Sequence, residues 1–139
     1  MEKEIRKILF EYIFYAVLFS AVIILIGVPT VFGDPHGNEG KQALFLVYFI
    51  EVIYLVSTSI IFLLSLLRSI QNIYSNKNSF KIIFFFPLVV LLGFTIYLIS
   101  LALTQEISSD FSLIFFVPLP FSVIWTLAYY KLKKTLKNQ

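Results

Sequence analysis

Four long apolar segments, separated by short polar ones, occupy most of the chain. They cover residues 8–28, 44–67, 82–103 and 113–130. Each approaches or exceeds the roughly 18 to 20 residues that an α-helix needs to cross a hydrocarbon layer about 30 Å thick. Short connections make consecutive helices antiparallel neighbours. The pattern predicts an all-α polytopic membrane protein, in which residues 1–139 form one antiparallel bundle of four transmembrane helices.

Composition supports lipid as the main solvent of this chain. The 139 residues are 59% hydrophobic and 14% charged, with a mean hydropathy of +0.90, which leaves too few polar side chains to cover a water-soluble globule. Basic residues at helix ends suit lipid headgroups, so the bilayer is an expected partner and nucleic acid is not. The absence of cysteine excludes disulfides, thiolate metal sites and a thiol nucleophile.

The basic residues are distributed unevenly among the segments outside the predicted helices. All but one of the 11 Lys and Arg residues lie in the N-terminal segment, in loop 68–81 or in the C-terminal tail, and only Lys41 lies in the predicted outer loops 29–43 and 104–112. By the positive-inside rule both termini and loop 68–81 are predicted to be cytoplasmic. Because heavy use of Phe, Ile, Lys and Asn is typical of AT-rich bacterial genomes, the expected location is a bacterial inner membrane.

Prolines indicate where the predicted helices deviate from regular geometry. Pro87 lies about one turn inside the third segment, and Pro118 and Pro120 lie in the first third of the fourth. Each proline lacks a backbone N–H and leaves a carbonyl one turn earlier without its partner. We therefore expect a kinked or partly unwound start to the fourth helix. This irregularity either shapes packing, which we favour, or lines a binding site as in transporters.

One acidic residue, Glu51, lies deep in the second segment. It is about four to five residues from the centre of the segment, hence about 7 Å from the midplane, where an ionised carboxylate costs on the order of 3 kcal/mol. No basic residue lies at matching depth, which argues against an internal salt bridge. Two interpretations follow: a protonated carboxyl bonded to a neighbour such as Tyr97 or Tyr129, or a hydrated site for a proton, a metal cation or a partner's basic residue.

Other polar residues recur at helical spacing on the same segments as Glu51. The predicted binding site is an intramembrane polar stripe of Glu51, Tyr54, Thr58, Ser65, Tyr97, Ser100, Ser122 and Thr126. Small residues extend the pattern on the first helix at Ala16, Ser20 and Gly27, and on the third helix at Gly93. We expect all four faces to point into the bundle, because hydroxyls and close backbone contacts stabilise helix packing in lipid.

The remaining charged residues receive simpler interpretations. Glu11 follows Lys7 by four residues and is expected to pair with it on the helix surface. His36 lies near Asp34 and Glu39 without the spacing of metal ligands, so we expect a solvated turn. Neither a metal nor another cofactor is predicted.

Aromatic residues outside the polar stripe are expected to contact lipid or the membrane interface. An interfacial aromatic belt is predicted from Tyr12, Tyr15, Tyr48, Trp125, Tyr129 and Tyr130. The runs Phe84-Phe85-Phe86 and Phe115-Phe116 are expected to be bulky lipid-facing surface. Enzyme activity is not expected, because the four segments hold one deep acid, no histidine and no cysteine, hence neither a nucleophile with its base nor a metal set.

Three non-enzymatic functions agree with this pattern. The first is an accessory subunit or an immunity-type protein that contacts a partner's helices in the membrane. In size and topology the chain resembles bacterial membrane proteins that neutralise pore-forming toxins, although no motif carries the resemblance. The second is a proton- or cation-conducting subunit of a homo-oligomer with Glu51 as the binding group, because four short helices are barely enough to enclose a path alone. The third is a small multidrug exporter, which the uneven Lys/Arg distribution and the place of Glu51 in the second segment disfavour.

Overall fold

The chain folds into four long α-helices. The computed structural model describes residues 2–33, 36–72, 77–104 and 111–137. The helices are α1 Glu2–Phe32, α2 Gly37–Asn72, α3 Lys77–Thr104 and α4 Pro118–Lys137, with a 3₁₀ helix, η1, at Phe111–Phe115. All four α-helices are long and apolar enough to cross a membrane. The prediction of an all-α bundle of four helices, each long and apolar enough to cross a membrane, is confirmed.

The helices extend beyond the apolar segments that predicted them. Helix α1 ends at Phe32 and α2 begins at Gly37, so most of the predicted loop 29–43 is helical. Helix α2 ends at Asn72 and α3 begins at Lys77, so the same holds for the predicted loop 68–81. The apolar segments predict only the part of each helix that suits hydrocarbon, whereas backbone hydrogen bonds can continue a helix through the polar residues on either side.

Glycines mark the junction between α1 and α2. Gly33 follows α1 with φ at 66°, and Gly37 begins α2 with φ at 78°. Residues with side chains rarely adopt these left-handed conformations, which are common just after a helix. The Gly33 N–H donates to the Pro29 carbonyl over 2.8 Å, which satisfies one carbonyl at the end of α1.

The start of the fourth span is irregular, as the prolines predicted. After η1, Phe116 and Val117 form a turn, and regular α-helix begins only at Pro118. The Phe116 ring lies against Gly27 of α1, where an added Cβ would lie 2.5 Å from the ring. Gly27 thus makes room for the unwound segment, and the prediction that Phe116 is lipid-facing surface is wrong because its ring is half-buried.

Helix α1 packs against both α2 and α4, and each pair is antiparallel. The Tyr48 hydroxyl of α2 donates to the Leu25 carbonyl of α1 over 3.2 Å. The ammonium group of Lys131 in α4 lies 5.5 Å from the centroid of the Tyr12 ring. Helix α2 also packs along α3, whereas the backbones of α3 and α4 approach each other less extensively. The order around the bundle is therefore α3, α2, α1, α4.

The inward face of α1 has regular helical spacing. Its buried residues, three or four positions apart, are Ile5, Leu9, Ile13, Ala16, Ser20, Ile24 and Val28. The intervening positions are exposed and apolar, as Phe14, Leu25 and Ile26 show. Since lipid is as apolar as these side chains, close packing rather than transfer from water stabilises the inward face. The small-residue line that includes Ala16 and Ser20 faces the interior as predicted.

Four aromatic side chains form a buried layer that connects α2, α3 and α4. We call Phe62, Phe84, Phe121 and Trp125 the aromatic layer. The Trp125 ring stacks on Phe84, with centroids 4.6 Å apart and planes 15° apart, and meets Phe62 edge-on at 4.8 Å. The Trp125 indole N–H donates to the Phe84 carbonyl over 2.9 Å. Tyr129 of α4 adds to this contact between α3 and α4, with its ring centroid 5.6 Å from that of Phe84.

The aromatic layer corrects two predictions. Trp125 was expected in an interfacial belt, yet it is 1% exposed. Phe84 was expected to face lipid, yet it is fully buried, while Phe86 two residues later is 58% exposed and agrees with the prediction. In a helix that is apolar on every side, hydrophobicity alone does not distinguish the packed face from the lipid face.

Candidate functional site in the polar face of α2

The inward face of α2 carries most of the buried polar side chains that the structure describes. Glu51, Thr58, Ser65 and Ser69 are each buried, at 6%, 4%, 9% and 0% exposure. Steps of seven residues from Glu51 to Thr58 and from Thr58 to Ser65 keep these side chains on one face of the helix. The expectation that this part of the polar stripe points into the bundle agrees with the structure.

Two hydroxyls of this helix bind backbone carbonyls that prolines leave without their usual partner. Pro87 lacks the N–H that would bind the Ile83 carbonyl, and the Ser65 hydroxyl of α2 donates to that carbonyl over 2.5 Å. Pro29 likewise lacks the N–H for the Leu25 carbonyl, to which Tyr48 donates. In a membrane no water replaces a missing partner, so a hydroxyl from a neighbouring helix is one of the few alternatives.

The Glu51 carboxyl lies in the interior without a complete set of partners. Glu51 Oε2, Ser20 Oγ and Tyr54 Oη are the buried side-chain oxygen or nitrogen atoms that make no hydrogen bond within the described part of the chain. Tyr54 lies one turn from Glu51, and its ring meets Phe94 of α3 edge-on at 5.5 Å. Thr95 of α3 is also buried; its hydroxyl donates to the Leu91 carbonyl of its own helix over 2.7 Å and lies beside the Tyr54 hydroxyl.

The third helix departs from the predicted stripe. Tyr97 is 57% exposed and Ser100 is also exposed, so neither faces the interior. Gly93 lies on the same outer side, with no atom within 4 Å of an added Cβ. The suggestion that Tyr97 is the hydrogen-bond partner of Glu51 is therefore wrong. The buried polar residue of α3 is instead Thr95, which the sequence interpretation did not select.

The fourth helix contributes half-buried polar residues. Ser122 and Thr126 are of intermediate exposure, and the Thr126 hydroxyl donates to the Ser122 carbonyl over 2.7 Å. Tyr129 packs its ring against Phe85, with centroids 4.8 Å apart. The inward side of α4 is aromatic instead, through Phe121 and Trp125.

A groove between α2 and α3 opens towards the bilayer. It has a volume of about 460 Å³, and we call it the α2–α3 groove. Its lining includes Ile53, Tyr54, Ser57, Thr58, Pro87, Val90 and Phe94. The walls are apolar except for the hydroxyl-bearing side chains of α2, of which Ser57 is exposed. Through Ile61 the groove continues into a second recess of about 390 Å³, whose lining includes Arg68.

Charged residues at the surface show little that resembles a catalytic or metal centre. Lys7 Nζ lies 4.0 Å from Glu11 Oε1, as predicted for a helix-surface pair. No three His, Cys, Asp or Glu residues lie together among the described residues; Asp34, which the sequence places near His36, lies outside them.

The chain matches no protein-family model, no curated protein and no solved structure. The interpretation of α2 therefore rests on the geometry above.

The Ser65 hydrogen bond provides a direct test of this geometry. Replacing Ser65 with Ala should lower the free energy of unfolding by about 1 to 2 kcal/mol, because it leaves the Ile83 carbonyl unpaired in a water-free interior. In a Pro87→Ala background the restored N–H binds that carbonyl, and Ser65→Ala should then cost much less. Unfolding in SDS, followed by circular dichroism, measures all four variants.

Ser59→Ala on the same helix is the matched control for this comparison of Ser65→Ala with and without Pro87. The Ser59 hydroxyl donates to the Leu55 carbonyl of its own helix over 2.7 Å, so its loss removes no contact between helices. We expect Ser59→Ala to change the free energy of unfolding by less than Ser65→Ala. Equal costs for Ser65→Ala with and without Pro87 would contradict the pairing described here.

Proposed function

We propose that this protein acts without catalysis, by binding a transmembrane helix of a partner protein in the α2–α3 groove. The observation that carries the proposal is the groove itself, which is open to lipid, apolar in its walls and about 460 Å³ in volume. An accessory subunit or an immunity protein against a membrane-active toxin would act in this way. Both need only a stable bundle with a distinctive face.

The chemistry of the groove suits a helix. Association of helices in lipid depends on close packing and on hydrogen bonds between helices, since lipid removes the hydrophobic driving force. Ser57 offers an exposed hydroxyl in an otherwise apolar wall. On the rim, Gly93 precedes the groove residue Phe94 and has open space around it. A partner backbone could approach α3 closely at that point.

The outward residues of α3 extend this surface. Tyr97, one turn beyond Phe94, is exposed, and so is Ser100. The sequence predicted that these hydroxyl groups face the interior. In their lipid-facing position they are instead available to a partner helix. They can form hydrogen bonds with a helix that lies along the groove, which would be more favourable than exposure to acyl chains.

We also propose that both termini are cytoplasmic and that the host membrane is a bacterial inner membrane. The antiparallel order places the start of α1, the end of α2, the start of α3 and the end of α4 at one end of the bundle. Lys7, Arg68, Lys81 and Lys134 belong to those four helix ends. Concentration of positive charge on one side supports the cytoplasmic assignment of that side.

Filling the groove should prevent partner binding. With Ser57→Phe, an aromatic ring occupies the space of the partner helix, whereas Val123→Phe adds the same ring to the lipid face of α4, where Val123 is 52% exposed. We expect the unaltered chain and Val123→Phe to co-purify with a second membrane protein from the native host, and Ser57→Phe to lose it. Affinity purification in mild detergent with mass spectrometry measures this.

Two results would contradict the partner proposal. One is purification of the unaltered chain as a homogeneous monomer from its native membrane. The other is equal recovery of the partner with Ser57→Phe and with Val123→Phe, which would move the contact away from the groove. Recovery of only further copies of this chain would show a homo-oligomer in place of the proposed partner.

A second candidate function is conduction of protons or cations with Glu51 as the binding group. The unpaired atoms Glu51 Oε2, Ser20 Oγ and Tyr54 Oη in the bundle interior favour it. On the way to the end of the bundle where the chain termini lie, the interior contains the aromatic layer at Phe62 and Trp125. Conduction by this chain would therefore require that layer to open or a path to form between subunits.

Flux measurements test this second candidate. Glu51→Gln keeps the size of the side chain and removes the ionisable group, so it should abolish a proton- or cation-dependent flux in liposomes. Glu11→Gln, which changes a carboxylate paired with Lys7 at the surface, should leave the flux unchanged. Equal flux in Glu51→Gln, or no flux with the unaltered protein, would exclude conduction through Glu51.

A further inference from the structure

We infer that Ser20, Glu51 and Tyr54 form an internal binding site for one monovalent cation of sodium or potassium size. The inference shares with the second candidate function only the assignment of Glu51 as the ion-binding group. It does not require the ion to cross the membrane. The site would stabilise the bundle by joining α1 to α2 at the depth of the buried acid.

The side chains proposed as ligands carry buried oxygen atoms. Ser20 is fully buried and Glu51 is 6% exposed. Ser20 Oγ and Glu51 Oε2 make no hydrogen bond within the described residues, and Tyr54 Oη makes none of good geometry, although the Thr95 hydroxyl of α3 lies beside it. Buried polar atoms without partners are costly and rare, and they often mark the place of a bound water or ion.

The three side chains lie at a similar depth in the bundle. The Tyr48 hydroxyl reaches the Leu25 carbonyl, which fixes the register of the antiparallel pair α1 and α2. Ser20 is five residues before Leu25 on α1. Because α2 runs in the opposite direction, the position level with Ser20 is five residues after Tyr48, between Glu51 and Tyr54. Ser20 is therefore level with these two residues to within about one helical turn. Ser20 and Glu51 are both on the inward faces of their helices.

Glu51 has no charged residue of the bundle at its depth. No Lys, Arg, Asp, Glu or His occurs in α1 from residue 12 onward, in α3 from residue 82 onward, or in α4 before residue 131. Tyr54 is the titratable neighbour of Glu51 on α2, and the nearest tyrosine of α3 in depth, Tyr97, faces outward. A buried carboxyl is neutralised either by a proton or by a cation. One monovalent cation gives a neutral site, whereas a divalent cation would leave an uncompensated positive charge in the membrane interior.

The ligand atoms of the site and its closure at one end both suit a retained hard cation. Carboxylate and hydroxyl oxygens are the ligands preferred by hard cations, which sulfur and nitrogen ligands do not suit. The aromatic layer begins at Phe62, 11 residues along α2 from Glu51, which corresponds to about 16 Å. This packed layer separates the site from one end of the bundle, as expected for a retained ion and not for an open pore.

Thermal unfolding of the purified full-length protein tests the site. The single tryptophan, Trp125, is buried, so its fluorescence reports unfolding. The melting temperature should rise and saturate with added NaCl or KCl relative to choline chloride at the same ionic strength, because a cation bound only to the folded state stabilises it. Glu51→Gln should lose this shift, and Glu11→Gln should keep it.

A second variant keeps the test decisive if Glu51→Gln fails to fold. Ser20→Ala retains the carboxylate and places a good helix former in α1, and it should raise the half-saturating cation concentration several-fold. Identical melting in sodium, potassium and choline with the unaltered protein would overturn the inference, and would assign the site to water beside a protonated carboxyl. An unchanged cation shift in Glu51→Gln or in Ser20→Ala would also overturn it.

The melting experiment and the flux experiment test separate claims, and each claim can be contradicted without the other. A cation-dependent shift without flux in liposomes excludes the second candidate function and supports a retained ion. Flux that depends on Glu51 without any shift excludes the stable site described here and leaves conduction in place.

Discussion

Every backbone polar group inside a membrane must have a partner within the protein, and this constraint explains the organisation of the bundle. Pro29 and Pro87 each leave a carbonyl unpaired, at Leu25 and Ile83. Helix α2 supplies a hydroxyl to both, from Tyr48 and from Ser65. In water such carbonyls would bind solvent, but in lipid they require a neighbouring helix at a fixed depth. The two hydrogen bonds therefore set the registers of α1 and α3 against α2.

Sequence patterns predicted the parts of this structure that depend on proline or on a large difference between apolar and polar residues. The four spans, the irregular start of the fourth and the inward position of Glu51, Thr58 and Ser65 follow from apolar length, proline chemistry and the spacing of polar groups. The register between helices was not predictable, since nothing in the sequence indicates that Ser65 of α2 is level with Ile83 of α3. The role of Ser65 as the partner of that carbonyl therefore appears only in the structure.

The errors have a common physical origin. Helix α3 is apolar on every side, so Tyr97 and Ser100 were assigned to the interior on polarity alone, although they are exposed while Phe84 is buried. In a soluble protein the hydrophobic face is the packed face, but in lipid both faces are hydrophobic and shape complementarity decides. Trp125 was misplaced for the same reason, because its stacking partner on α3 could not be known from sequence.

Tyr54 connects the two proposed sites, since it lines the α2–α3 groove and has an unpaired hydroxyl one turn from Glu51. Partner binding at the groove could thus alter the ion site through this side chain.

The packing of the bundle interior depends on the Trp125 indole, which binds the Phe84 carbonyl and is buried among helices, shielded from lipid. Quenching of tryptophan fluorescence by brominated acyl chains measures this most directly, because the chain has one tryptophan. The reference is a variant that carries Trp125→Phe and Leu127→Trp, since Leu127 is 53% exposed. The account predicts weak quenching of the native Trp125 and strong quenching of the reference. Equal quenching of the two would contradict it.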